Sequence, residues 1–300
     1  GPPGAIFDMR ANSRTFPANL NGMRRMLAIM ALLLAGISVQ AQLTLTSNAV
    51  GDIGSEYVLG IDTGATSLDL QLSGGQNLSW DFSDLQTTGF DTIRFVDPAN
   101  TPFGADFPNA DISIFQSDIN GYAYFTSTST AFELVGLAGD PADVGQTFVI
   151  PQDNPRRIAQ FPFTYGTTFT DTASFDITVS AMGIVPLADS IRYRSPALRQ
   201  VEGDAFGSLT LTQSNHNTNR VKEVSVNSDS IYGLFPFVGW QLIEDTTYTD
   251  STFTWWDDTR GYLLCEARFA NGSLQTVQHQ DPLVVGRASA QTFNFDIFPN

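Results

Sequence analysis

Phe175-Asp176-Ile177-Thr178-Val179 places an apolar side chain at every second position. Successive side chains of a strand point to opposite faces, so as a strand this segment buries one face and wets the other. As a helix it would scatter the same residues around the axis and bury no continuous stripe. The period recurs to both sides. Leu68-Asp69-Leu70-Gln71-Leu72 alternates cleanly, as do Val224-Ser225-Val226 and Ser251-Thr252-Phe253-Thr254-Trp255. Further strand-like runs cover 92–96, 123–127, 132–136, 147–150, 190–194, 209–212, 241–244, 262–269 and 273–278. Gly, Pro, Asn and Asp punctuate them at intervals of roughly 8–12 residues, the spacing of antiparallel all-β folds. No strand–helix–strand rhythm and no tandem repeat is present. The expected fold is therefore all-β: an antiparallel β-sandwich of jelly-roll character.

The chain has 300 residues, 42% of them hydrophobic and 23 of them Phe, enough for one large core or two small ones. The polar, proline-punctuated stretch Pro151-Gln152-Asp153-Asn154-Pro155-Arg156-Arg157 reads as a connection between two β subdomains, 42–155 and 156–282. The alternative is a long loop within a single sandwich.

The first residues read differently. Met23-Arg24-Arg25 is a short basic stretch, and an apolar run of about 12 residues follows, too short for the ~20 that cross a bilayer as a helix. Ser38-Val39-Gln40-Ala41 then places Val39 and Ala41 at the positions that signal peptidase reads. This order predicts a secretory signal peptide over 23–41, a detached helix cleaved before Gln42. Residues 1–22 precede the natural initiator Met23 and are expected to be spurious upstream sequence.

The formal charge is −16. Removing residues 1–41 takes away four arginines and one aspartate, which leaves −19. The sole lysine is Lys222. Phosphate backbones need clustered Lys and Arg, so no nucleic-acid partner is expected. No transmembrane segment is expected in the mature chain. One cysteine excludes an internal disulfide framework.

The end of the chain and three interior segments carry a resemblance. Ile297-Phe298-Pro299-Asn300, after a linker from 283, resembles the opening of the C-terminal sorting domain of the Bacteroidetes type IX secretion system. That domain typically begins with an aromatic residue and Pro-Asn-Pro. Gly74-Gly75-Gln76-Asn77-Leu78-Ser79-Trp80-Asp81-Phe82-Ser83-Asp84-Leu85 and Phe161-Pro162-Phe163-Thr164-Tyr165-Gly166-Thr167-Thr168-Phe169-Thr170-Asp171 are similar to segments of uncharacterised secreted proteins that carry this domain. Glu202 to Leu211 is a weaker match, with Glu202 where those proteins have Asp. The resemblance implies export to the periplasm by the signal peptide, with Arg24, Arg25, Val39 and Ala41 as its marks. Transfer across the outer membrane would follow, through type IX machinery that reads the sorting domain opening at Phe298, Pro299 and Asn300. It implies a secreted or surface location and assigns no reaction.

Chemistry-bearing motifs are few. Ile61-Asp62-Thr63-Gly64-Ala65-Thr66 is similar to the active-site loop of aspartic proteases, in which two carboxylates share a proton. No second Asp-Thr-Gly or Asp-Ser-Gly exists, and a plain turn between strands at 57–61 and 68–72 accounts for the string. His216 and His279 lie in polar surroundings and are expected at the surface. Cys265 alternates with Leu263 and Ala267 and is expected as a buried, inert thiol. Trp80 and Trp240 are expected in the core. Trp255 and Trp256 are adjacent on a strand, so one ring faces each side. With Tyr262 they form the candidate ligand-binding set, an exposed ring stacking on a glycan. Oxygen-rich turns around Asp118, Asn120 and Asp229 are calcium candidates, without the ligand alternation of an EF-hand; no other cofactor is expected. The expected function is a non-catalytic adhesion or ligand-binding protein. The rival is a secreted hydrolase, acting on glycans or, through Asp62, as a protease.

Overall fold

The computed structural model describes residues 42–280, apart from 66–67, 117–119, 141–146, 182–184 and 186. Thirteen strands account for most of them: β1 Glu56–Asp62, β2 Gly75–Asp81, β3 Gly89–Val96, β4 Ile112–Gln116, β5 Gly121–Ser127, β6 Ala131–Gly139, β7 Phe148–Gln160, β8 Thr168–Ser180, β9 Ser190–Thr210, β10 Asn215–Phe235, β11 Gly239–Trp256, β12 Cys265–Ala270 and β13 Ser273–His279. Three short 3-10 turns are the only helical pieces among the described residues. No described helix is long and apolar enough to cross a membrane.

The sheet is a closed antiparallel barrel rather than a sandwich. Twelve strands run β10-β11-β12-β13-β1-β3-β4-β5-β6-β7-β8-β9, and β9 pairs again with β10 to complete the ring. Alternation is blind to this difference: it requires one buried face and leaves open whether that face meets a second sheet or its own far side. Closure removes the free edges that a sandwich must protect.

The remaining strand, β2, pairs parallel to the far half of β9, from Gly75 opposite Ala205 to Asp81 opposite Thr210. The expected strand at 68–72 does not form. Leu70 instead lies buried against the outside of the barrel.

Strand β7 runs through the boundary expected at 155/156, and the sheet continues across it. Pro151 and Pro155 explain why this segment reads as a connection, since neither can donate to a ladder. The β6–β7 register shifts twice, near Phe132/Glu133 and Leu134/Gly136. On its other side β7 meets β8 through one register pair, Asn154 opposite Ser174.

Two apolar clusters use the two faces. Inside lie Leu45, Phe95, Ile114, Phe125, Phe132, Phe161, Phe163 and Val201, among others. Outside, over β9–β13, lie Trp80, Phe82, Leu209, Phe253, Trp255, Leu264 and Cys265, covered by the segment leading into and out of β2. Strand β11 serves both: Phe253 and Trp255 are in the outer cluster, while Thr252, Thr254 and Trp256 face inward.

Candidate functional site

The interior cluster does not fill the barrel. A cavity of about 400 Å³ remains, lined from β4–β7, β9–β12, the 45–50 segment and the loop before β12. That is the size of a small-molecule pocket.

Register pairs arrange its walls in layers. Asn219 lies opposite Trp256, Val221 opposite Thr254, and Glu223 opposite Thr252. Thr252 in turn lies opposite Arg268, and Glu223 opposite Val201. At the Asn219 end the N-terminal segment closes the barrel. Leu45 bridges Phe163, the Asn219 side-chain amide donates to the Leu43 carbonyl (2.6 Å), and the Thr46 hydroxyl and amide donate to Asp258. Leu45, Ala49, Phe161 and Phe163 make this end apolar.

The Glu223 end is charged. Arg199, 1% exposed, donates through Nε and Nη2 to both Glu223 oxygens and through Nη1 to Asp171 (2.9 Å) and the Arg157 carbonyl (2.7 Å). Arg156 adds a third guanidinium contact to Glu223, from Nη2 to Oε1 at 2.9 Å. Burial alone would raise the Glu223 carboxyl, but the bonds and charges of Arg199 and Arg156 outweigh it and hold it below its ordinary value. Burial lowers the Arg156 pKa from its ordinary value, against the pull of Glu223. The cluster also stitches β7 to β8 where the backbone ladder is nearly absent: the Arg157 amide donates to Asp171 (2.9 Å) and the Asn154 side chain donates to Thr172.

The aromatic candidates divide between the two faces. Trp255 is fully buried in the outer cluster, edge-on to Trp80 and Phe82. Trp256 and Tyr262 line the cavity and pack edge to face, their centroids 6.2 Å apart. The Trp256 Nε1 donates to Thr254 Oγ1 (2.8 Å). Tyr262 stacks on Tyr57, and burial, with the negative charge of Glu266, raises its phenol pKa. None of the three rings is presented on the outer surface for a glycan. Trp80 is buried as expected, but Trp240 is 40% exposed on β11.

Asp62 is buried and caps a turn. Its Oδ1 accepts from the Gly64 amide (2.7 Å) and its Oδ2 from the Gln86 amide (2.8 Å). Both oxygens are thus held by backbone donors, and no carboxylate among the described residues bonds to it. Asp118 lies outside the described residues. Asn120 is a left-handed turn position (φ 42°). Asp229 accepts from the Ser195 hydroxyl (2.7 Å) and the Tyr248 hydroxyl (3.1 Å) on the long hairpin. Among the described residues no group of three His, Cys, Asp or Glu is placed to hold a metal. Arg24, Arg25, Val39, Ala41, Phe298, Pro299 and Asn300 all lie outside the described residues.

Both histidines differ from expectation. His279 is fully buried, its Nδ1 2.9 Å from the Gln280 carbonyl. His216 is nearly buried and links two partners: Ser214 Oγ stands 2.7 Å from its Nε2, and Asp257 Oδ2 stands 3.1 Å from its Nδ1. Asp257 is itself fixed by the amides of Thr259 (2.9 Å) and Arg260 (2.8 Å). Alternation brings Ser214 and His216 to one face of the hairpin end, but no motif announces Asp257, 41 residues on. Cys265 is buried, and burial raises its thiol pKa, which leaves it inert.

Fold and site together define a closed β-barrel with an interior cavity, apolar at one end and charged at the other. The chain matches no protein family, and no curated protein or solved structure shows significant similarity to it.

Proposed function

We propose that this is a secreted, non-catalytic binding protein, exported by the type IX route and holding a small, largely apolar molecule inside its barrel. One observation carries the binding reading: the cavity of about 400 Å³ is walled by Phe125, Phe132, Phe161 and Trp256, with Arg156, Glu223 and Arg268 gathered toward one end. An unfilled apolar space costs packing energy, of order 20 cal/mol per Å² of its surface, which a ligand recovers. The export reading rests on the signal-peptide pattern and the resemblance of Phe298-Pro299-Asn300 to a sorting domain. The binding test is titration with 1-anilinonaphthalene-8-sulfonate under native conditions. Saturable binding near one site per chain, with quenching of Trp256 fluorescence and its loss in Trp256→Ala, is the expected result. Non-saturable or absent binding removes the reading. For export, N-terminal sequencing of the protein from a type IX-competent host is expected to begin at Gln42.

A second reading, a secreted serine-type hydrolase, is favoured by the Ser214–His216–Asp257 geometry. In that chemistry Ser214 Oγ attacks an ester carbonyl, His216 Nε2 takes its proton and returns it to the leaving alcohol, and Asp257 orients the ring. Labelling by a fluorophosphonate probe that disappears in Ser214→Ala would establish it. Absence of labelling at active protein concentrations would end it.

A further inference from the structure

The cavity is uneven in what it offers a ligand, and this points beyond a generic apolar guest. Toward the Glu223 end the carboxylates already carry cationic partners. The two Glu223 oxygens receive three guanidinium bonds, from Arg156 Nη2, Arg199 Nε and Arg199 Nη2. Glu266, also on the cavity wall, receives the Arg268 Nε. Asp171 receives Arg199 Nη1 and the Arg157 amide.

One donor is not used up. A guanidinium carries five N–H bonds. Arg156 spends one of its groups on Glu223, and its buried Nε has no hydrogen-bond partner. A buried donor without an acceptor costs roughly 1–3 kcal/mol, more when charged. Beside it stand the hydroxyl of Thr252, opposite Glu223, and Arg268, opposite Thr252, all on the cavity wall. The opposite end, at Leu45, Ala49, Phe161 and Phe163, is closed and apolar.

Resting on the binding reading above, we infer that the ligand is a single-chain anionic amphiphile. Its carboxylate is held by Arg156 at the charged end, and its hydrocarbon tail lies toward Leu45 and Phe163. A carboxylate supplies the acceptor that Arg156 Nε lacks, in the planar pairing a guanidinium favours. A primary ammonium would add positive charge to a wall whose carboxylates are already paired with guanidinium groups, and an alcohol would satisfy Arg156 without charge. The volume sits near the lower limit of small-molecule pockets, which suits one acyl chain better than a two-tailed lipid.

The experiment is a comparison of dodecanoate, dodecanol and dodecylammonium, each displacing 1-anilinonaphthalene-8-sulfonate from the full-length protein. Dodecanoate is expected to bind at least tenfold more tightly than either of the others. In Arg156→Met its affinity is expected to fall to that of dodecanol, with dodecanol unchanged. Equal affinities for the three, or tighter binding of the ammonium, overturns the head-group assignment and leaves the cavity reading standing. Failure of all three and of the fluorophore sinks both. The three-ligand comparison on the unaltered protein decides the assignment even where Arg156→Met fails to fold.

Discussion

Arg199 illustrates how one buried charge is made tolerable. Its three guanidinium nitrogens make four hydrogen bonds, to both Glu223 oxygens, Asp171 and the Arg157 carbonyl, so no nitrogen is left unpaired. Removing one partner of a buried ionic group typically costs about 3–5 kcal/mol, because the other charge stays behind. Arg199→Met takes from Glu223 two of its three guanidinium bonds and from Asp171 its ion-pair partner, and is expected to lose about that much in urea unfolding, whereas Arg94→Met, on an exposed pair with Glu56, is expected to lose under about 1 kcal/mol. Equal losses would show that the cluster is ornamental. Glu223 gives the pH dependence. Its folded pKa is depressed, so its stabilisation is complete above the unfolded carboxyl value of about 4.3 and is lost as pH falls through the lower folded value. Glu223→Gln is therefore expected to be destabilised near neutrality and to lose stability less steeply on acidification, as read from unfolding midpoints between about pH 6 and pH 3. The cluster is not legible in the chain. Arg156, Asp171, Arg199 and Glu223 stand on the four consecutive strands β7 to β10, and it is their register, with Asp171 opposite Arg199, that brings them together. What alternation did show was the parity of Trp255 and Trp256; it was silent on the fact that the far side of the sheet was also interior.

At the scale of elements, β7 and the long hairpin are the informative cases. Two prolines and a run of polar residues made 151–157 look like a linker. The physical content of that signal is correct, because β7 makes one register pair with β8, but a strand can persist on side-chain bonds where its ladder fails. Asn154 and the Asp171–Arg157 contact carry that seam. Asn154→Ala is expected to leave the fold intact by circular dichroism while amides of 152–158 exchange faster by an order of magnitude, since seam opening is a local event. Unchanged exchange would mean that the seam is held by packing alone. Beyond this point β8–β11 outrun their neighbours: β12 pairs with β11 only from Asp250 onward. The turn between β10 and β11 leaves Phe237 and Val238 exposed, and the outer half of β11 leaves Trp240, Leu242 and Ile243 exposed. Periodicity located these strands but not their length, which is why Trp240 was expected in a core that ends before it. Hydrogen exchange there is expected to run ahead of the β9–β10 segment beside the cavity.

For the whole molecule, the sign of the salt response follows from two opposing effects. Exposed pairs such as Arg94–Glu56 and Arg194–Asp176 weaken when screened, but each is worth at most about 1 kcal/mol. Against them stands a formal charge of −16 for the chain and −19 for residues 42–300, with a single lysine. Like charges confined to one compact body repel over distances comparable with the Debye length, which shrinks from about 30 Å at 0.01 M salt to about 3 Å at 1 M. The buried Arg199 and Arg220 pairs are shielded from solvent and respond little. Repulsion among acids therefore outweighs the loss of surface pairs, and Tm is expected to rise between 0.01 and 1 M NaCl, most steeply at the low end. A Tm that falls would mean that the exposed pairs form a cooperative network stronger than their separate geometries imply. The same charge sets the terms for ligand uptake. An anionic amphiphile must approach a negative body before Arg156 can hold it, so its association rate, unlike its dissociation rate, is expected to increase with salt in stopped-flow measurements.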